Sequence, residues 1–334
     1  MERIIECVPN FSEGRNMEII NAIVDEIQKA GSCHTGVKIL NIDPGYAANR
    51  TVITFTGSPE AVVEAAFQGV RKAAELINMR KHQGTHPRSG ATDVLPLIPV
   101  SGISLEECAE LARGLAERIY LELGIPCYCY EAAAFKPQRR NLAVCRAGGY
   151  EALADKISDP QRRPDFSPEE YNERVARCGA INVGARNFLI AVNFNLNTTS
   201  TQTATEIAYK VRESGHPTTK VPGPLKGCKA IGWYIDEYGI AQVSMNITDI
   251  DATPLHLAYE QVCKTASEHG VKVTGTEIIG LVPKRVLVDA GRYFMGGDHS
   301  EESLIDSAIS SMRLDDLRPF IPAEKVIEYL METK

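Results

Sequence analysis

Asp93-Val94-Leu95-Pro96-Leu97-Ile98-Pro99 and Glu277-Ile278-Ile279-Gly280-Leu281-Val282-Pro283 decide how the chain is read. Each is an acid followed by an apolar run that closes on proline, and each stands at the same point of a longer order. Ahead of the first, Ser58-Pro59-Glu60 supplies an N-cap hydroxyl, a proline at the first helical position and an early acid. Val62, Val63, Ala66, Phe67, Val70, Ala74 and Ile77 then stripe one helical face. Ahead of the second, Thr253-Pro254 is expected to cap a helix striped by Leu255, Ala258, Tyr259, Val262 and Ala266. Further upstream each half has a strand (4–9 and 187–194), a helix (17–30 and 201–212) and two strands (37–42 and 51–55; 230–235 and 241–247). Asn10-Phe11 follows the first strand of one half and Asn193-Phe194 ends that of the other. Both halves read β-α-β-β-α-β, the order of a ferredoxin-like split βαβ unit. The last strands of the two halves are expected at 94–100 and 278–282, and Pro96 and Pro99 put the former near a sheet edge.

The fold class expected is therefore α/β (α+β): two similar ferredoxin-like βαββαβ subdomains. Each would leave one sheet face bare, so the mixed sheets would stack face to face with the helices outside. The join is expected near residues 159–165, a proline- and charge-rich stretch, and the subdomains are taken as 1–180 and 181–334. A capping box at Ser104 and Glu107 opens one more helix, striped by Cys108, Leu111, Ala112, Leu115 and Ile119.

A chain of 334 residues fits two such domains, and 44% hydrophobic with 24% charged residues is ordinary globular composition. The net charge of −7 argues against broad nucleic-acid binding, which needs clustered positive charge. No apolar run approaches the roughly 20 residues of a membrane span, and the first residues lack a signal-peptide core. Nine cysteines, an odd number, read as free thiols of a cytoplasmic protein. Cys127-Tyr128-Cys129 lies in an apolar strand-like stretch and reads as buried core rather than as a metal or redox pair.

The segment from Arg80 to Asp93 is the most unusual. It holds His82 and His86, three strong bases and two glycines, between a long helix and a strand. Histidine is the side chain best placed to exchange protons near neutral pH. A solvated basic turn is the alternative. A metal site is weaker still, because Gly84 and Pro87 oppose the helix that would place both histidines on one face. Phosphate-binding glycine loops and a nucleophile elbow are absent. His256 sits in the first turn of a helix, where an imidazolium is disfavoured. His34, His216, His269 and His299 are given no role.

At this point the residues carry a resemblance. Glu6-Cys7-Val8-Pro9-Asn10-Phe11-Ser12-Glu13-Gly14, Asn49-Arg50-Thr51-Val52, Gly84-Thr85-His86-Pro87-Arg88 and Gly184-Ala185-Arg186-Asn187-Phe188-Leu189 resemble the formiminotransferase family. So do Gly232-Trp233-Tyr234-Ile235-Asp236-Glu237, Ala241-Gln242-Val243-Ser244-Met245-Asn246 and Gly280-Leu281-Val282-Pro283. The resemblance implies transfer of a formimino group from N-formimino-L-glutamate to the co-substrate tetrahydrofolate during histidine breakdown. It implies a homodimer with a tunnel between subdomains and no metal. It places the catalytic histidine at His86, not His82, and folate contacts within 167–179, including Ser167, Tyr171, Cys178 and Gly179. Asp43 and Asp93 are the candidate carboxylates beside the cationic carbon centre; orienting His86 or capping a strand end is the alternative for each. Arg50, Arg88 and Arg186 are expected to hold the glutamate carboxylates, with Asn10, Asn49 and His82 as neighbouring contacts. The basic cluster from Lys136 to Arg140 would attract a polyglutamate tail. The animal members carry a fused cyclodeaminase; this chain ends soon after Tyr329, so that activity is not expected in it. Formyl transfer between glutamate and tetrahydrofolate, a non-catalytic folate-binding role and, least of all, RNA binding by the sheets are the alternatives.

Overall fold

The computed structural model describes residues 3–32, 36–297 and 299–332; Cys33 and His34 lie outside them. The chain divides into two compact units, Met1–Asn187 and Phe188–Lys334.

The first unit runs β1 (Ile4–Cys7), β2 (Asn10–Phe11), α1 (Met17–Ser32), β3 (Val37–Gly45), β4 (Arg50–Gly57), α2 (Pro59–Leu76) and β5 (Thr92–Ser101). It continues through α3 (Leu105–Leu123), β6 (Cys127–Glu131), three short helices, α4 (Leu142–Arg146), α5 (Leu153–Ser158) and α6 (Glu173–Cys178), and β7 (Ile181–Ala185). Across the sheet the strands stand β3, β4, the β1–β2 run, β5, β7, β6. The first four positions have the strand order of a split βαβ unit, all antiparallel. The last two are parallel additions, so this sheet is mixed. Phe11, Ile53, Phe55, Leu95 and Leu97 pack with Ile23 and Ile27 of α1, Phe67 and Val70 of α2, and Leu115 and Ile119 of α3. Alanines on the buried faces of α2 and α3 let the helices lie close to the strands. On the opposite face, α4, α5 and α6 cover Tyr128 and Tyr130 through Cys145, Leu153, Ile157 and Val175.

Two expectations are corrected here. β5 is interior, with β1 and β2 on one side and β7 on the other. Pro96 faces the break at Val8-Pro9 between β1 and β2, where its carbonyl accepts from the Val8 N–H at 3.4 Å. Pro99 lies past Leu97, the last β5 residue that β7 pairs, so its missing N–H leaves no gap in that ladder. The division between units also falls later than 180, because Ile181–Ala185 is a strand between β5 and β6. The 159–165 stretch belongs wholly to the first unit: Arg162 O accepts from the Tyr128 hydroxyl at 2.9 Å and Asp165 pairs with Arg139.

The second unit is β8 (Ile190–Leu196), α7 (Thr201–Val211), β9 (Cys228–Ile235), β10 (Ile240–Ile247), α8 (Leu255–Glu268) and β11 (Val273–Ile279). Helices α9 (Lys284–Met295), α10 (Glu301–Met312), α11 (Pro322–Lys325) and α12 (Ile327–Glu332) follow. Its sheet order, β11-β8-β10-β9, repeats the first four positions of the other sheet. Here every pairing is antiparallel, so only the first sheet is mixed. Val192, Phe194, Val243 and Met245 face Ile207, Ala258 and Val262. Two local expectations fail. Thr253 does not cap α8; its hydroxyl donates to Lys226 O at 2.7 Å, and Pro254 stands at the N-cap. The last strand ends at Ile279, because Gly280 turns the chain with φ +73°.

Candidate active site

The site lies on the face of the first sheet turned away from α1, α2 and α3. Asp43, Val52, Asn10, Val94, Asn182 and Tyr128 form one row across the strands, so their side chains share that face. Arg50, two residues before Val52, shares it by strand alternation. Asp93 would point the other way in a regular strand. The β2–β5 register shifts between Asn10 and Phe11, pairing Asn10 with Val94 and Phe11 with Thr92, so Asp93 is the extra residue of a bulge. Bulges re-aim side chains in this way. Arg50 Nη1 then meets Asp93 Oδ2, while Arg50 Nε donates to Asn10 Oδ1 at 2.9 Å. Arg146, from the last turn of α4, donates to the same Asp93 oxygen at 2.9 Å. Asn182 Nδ2 donates to Asp93 O at 2.8 Å. Asp93 is 0% exposed. Its burial would push the carboxyl up, but the Arg50 and Arg146 guanidinium groups outweigh that and hold it below the usual carboxylate range.

The histidine loop is fastened on both sides of His86. Buried His82 contacts Asn49 O through Nε2 at 2.7 Å, and burial lowers its pKa, so the neutral ring donates there. Asn49, left-handed at φ +48°, accepts from Gly14 N at 3.0 Å and donates to Gln83 O at 2.9 Å. Gly84 lies against the Ala48 carbonyl, where a Cβ would collide. Arg88 donates to Met79 O at 2.9 Å, reaches His82 O, and pairs with Glu151 at 2.7 Å. Its guanidinium therefore braces the loop. Behind it, Ala180 N donates to Ser89 O at 3.0 Å, and Gly179, at φ +71°, leaves no room for a side chain beside Ser89 and Gly90.

His86 is half-buried between these anchors. Its Nδ1 lies 2.7 Å from Pro87 O and 3.3 Å from Arg50 Nη1. The Pro87 carbonyl is the nearer of the two and can only accept, so the ring proton is assigned to Nδ1. Nε2 then carries the lone pair. Burial, with the neighbouring Arg50 and Arg146 cations, lowers the pKa of His86 to about 3. The ring is a neutral base with a defined tautomer.

The other expected residues are placed as follows. Asp43 shares the row, two strands from Asn10 and so about 10 Å away. Arg186 follows β7, four residues past Asn182 and thus roughly 13 Å further along the strand. Ser167 turns onto its own neighbour, Pro168 O, at 3.0 Å, and Tyr171 is exposed. Cys178 is buried, its carbonyl accepting from Ala91 N at 2.8 Å, so it and Gly179 anchor the end of the histidine loop. In the basic cluster Arg139 is buried, paired with Asp165 and over the Tyr128 ring, which removes it from any surface field. Arg146 and Asn182 carried no sequence signal. Among the described residues, no group of three or more His, Cys, Asp or Glu is placed to hold a metal.

A neutral imidazole beside an arginine-bridged carboxylate, mounted on one of two ferredoxin-like sheets, marks an α+β protein with a polar, partly buried candidate site. Residues 4–186 match the formiminotransferase domain, N-terminal subdomain, and residues 191–332 match the formiminotransferase domain; the chain belongs to that family. It is 45% identical to a formimidoyltransferase-cyclodeaminase of Gallus gallus over 99% of its own length and 60% of that protein's. It thus spans about three fifths of the animal relatives. It is 40% identical to a glutamate formimidoyltransferase of Streptococcus pyogenes over 88% of this chain and 94% of that one. The same identity holds to a glutamate formimidoyltransferase of Thermoplasma acidophilum over 87% and 92%.

Proposed function

We propose that the chain is a glutamate formimidoyltransferase that moves the formimino group of N-formimino-L-glutamate to N5 of tetrahydrofolate. The observation that carries this reading is His86, neutral and with its Nδ1–H turned to Pro87 O. The formimino carbon is an amidine carbon. N5 attacks it to form a C–N bond, the bond to the glutamate nitrogen breaks, and one proton passes from N5 to the departing nitrogen. A neutral imidazole accepts that proton at Nε2 and returns it to the leaving group, a role worth about 10²–10⁴-fold. No change in oxidation state is involved.

Around the shuttle, Asp93 remains ionised under Arg50 and Arg146 and balances part of their charge. Asp43 is on the same face and is the carboxylate we assign to the cationic amidinium. Holding both substrates together supplies much of the remaining acceleration. Tetrahydrofolate, with or without a polyglutamate tail, is the acceptor, approached by the 167–179 segment through Ser167 and Tyr171. The family resemblance supports a working homodimer. A reducing, cytoplasmic setting is supported by the thiols, since each described cysteine is free. No described helix is long and apolar enough to cross a membrane.

The test is to incubate the protein with tetrahydrofolate and either N-formimino- or N-formyl-L-glutamate, and read 5-formiminotetrahydrofolate after acid conversion to the methenyl form. Turnover with the formimino donor is expected. Turnover confined to the formyl donor, or tetrahydrofolate binding without turnover, overturns the reading.

A further inference from the structure

We infer that Arg146 is a positioning residue of the transfer reaction, clamping the Pro87 carbonyl to Asp93 and thereby fixing which nitrogen of His86 meets the reactants. The inference rests on His86 as the shuttle and deepens that reading. Arg146 Nη2 donates to Pro87 O at 2.6 Å and to Asp93 Oδ2 at 2.9 Å. Pro87 O is also the acceptor for His86 Nδ1 at 2.7 Å. One carbonyl thus joins the arginine to the imidazole, and one carboxylate oxygen joins that arginine to Arg50.

The element that presents Arg146 is short but held at both ends. Asn141 caps it by accepting from Ala143 N at 3.1 Å. Lys156, buried, donates from Nζ to Cys145 O at 2.6 Å, one residue before Arg146. Cys145 itself packs with Tyr128, Tyr130, Leu153 and Ile157. A side chain delivered from so fixed a base can set the loop it touches, and a displacement of about 1 Å at a reacting group costs up to about 10²-fold in rate.

The charged groups facing His86 are Arg50 from β4, Arg146 from α4 and Asp93 from β5. The two cations oppose protonation of the ring and the carboxylate favours it. Arg146 therefore has a second effect that a purely structural brace lacks: its charge adds to burial and to Arg50 in opposing protonation of the ring.

Arg146→Met and Arg146→Lys in the full chain separate the two effects. For Arg146→Met we expect kcat to fall by about 10–100-fold with a smaller change in KM. We also expect the His86 ring titration, followed by NMR, to move up in pH. Arg146→Lys keeps the charge, so the titration stays near wild type and part of kcat returns. Should the methionine variant not fold, the lysine variant decides alone: lowered kcat with an unmoved titration supports the inference, and wild-type kcat overturns it. A methionine variant with wild-type kcat, or with an unmoved His86 titration, also overturns it. The titration needs no turnover. Absence of transferase activity in the wild type would sink the functional reading, while an unmoved His86 titration in Arg146→Met would sink this one.

Discussion

His86 and His82 lie four positions apart in one loop, yet the structure gives them different work. His82 is buried and donates to Asn49 O, tying the loop to the β3–β4 turn. Its loss should act on stability: we expect His82→Ala to cost about 1–3 kcal/mol in denaturant melts. His86 is the ring with a depressed pKa of about 3. Its ordinary value, taken as that of the unfolded chain, is 6.5. Above 6.5 both states hold the ring neutral. As pH falls from 6.5 towards 3 the unfolded chain gains a proton that the folded one refuses, so stability declines across that window. His86→Ala should flatten this part of the stability–pH curve; an unchanged slope would contradict the assigned neutral state. His86 and Asp93 were both singled out in the sequence, and the structure brings them to one cluster with Arg50. Arg146 was not. It sits on a five-residue helix with no periodicity to reveal it, and only the fold carries it to Pro87.

Elements were most legible where the chemistry is local. Ser104 and Glu107 form the capping box expected of them, the Ser104 hydroxyl accepting from Glu107 N at 3.2 Å and Glu107 Oε2 accepting from Ser104 N at 2.9 Å. Ser104→Ala should therefore lower stability by about 1 kcal/mol, measured by urea melts, without touching activity. Elements misread were those whose rule depends on a distant partner. Prolines in β5 suggested an edge because their missing donors matter only where a neighbour needs them, and the β1–β2 break removes that need for Pro96. The bulge that turns Asp93 towards Arg50 is likewise a property of two strands together. The histidine loop tests such a contact: Gly84→Ala must separate the loop from Ala48 O. We expect at least about a tenfold loss of kcat with far-ultraviolet circular dichroism unchanged, since a small displacement suffices. Full activity in this variant would show that the contact is dispensable.

Over the whole molecule, the duplication was legible because both halves share element order and apolar runs, and both sheets have the same four-strand order. The added strands β6 and β7 were less so. They have no counterpart in the second unit, and β7 is separated from its neighbour β5 by the whole of α3 to α6. The division between units moved accordingly. A fragment of residues 1–187 should melt cooperatively, whereas 1–180 lacks the strand between β5 and β6 and should melt broadly or fail to fold. Equal melts would contradict the placement of β7 as integral to the first unit. The most direct test of the whole account compares wild type, His86→Ala and His82→Ala in the formimino-transfer assay at pH 7. We expect a loss of about 10²–10⁴-fold in kcat for His86→Ala and near-complete retention in folded His82→Ala. Loss confined to His82→Ala would contradict it.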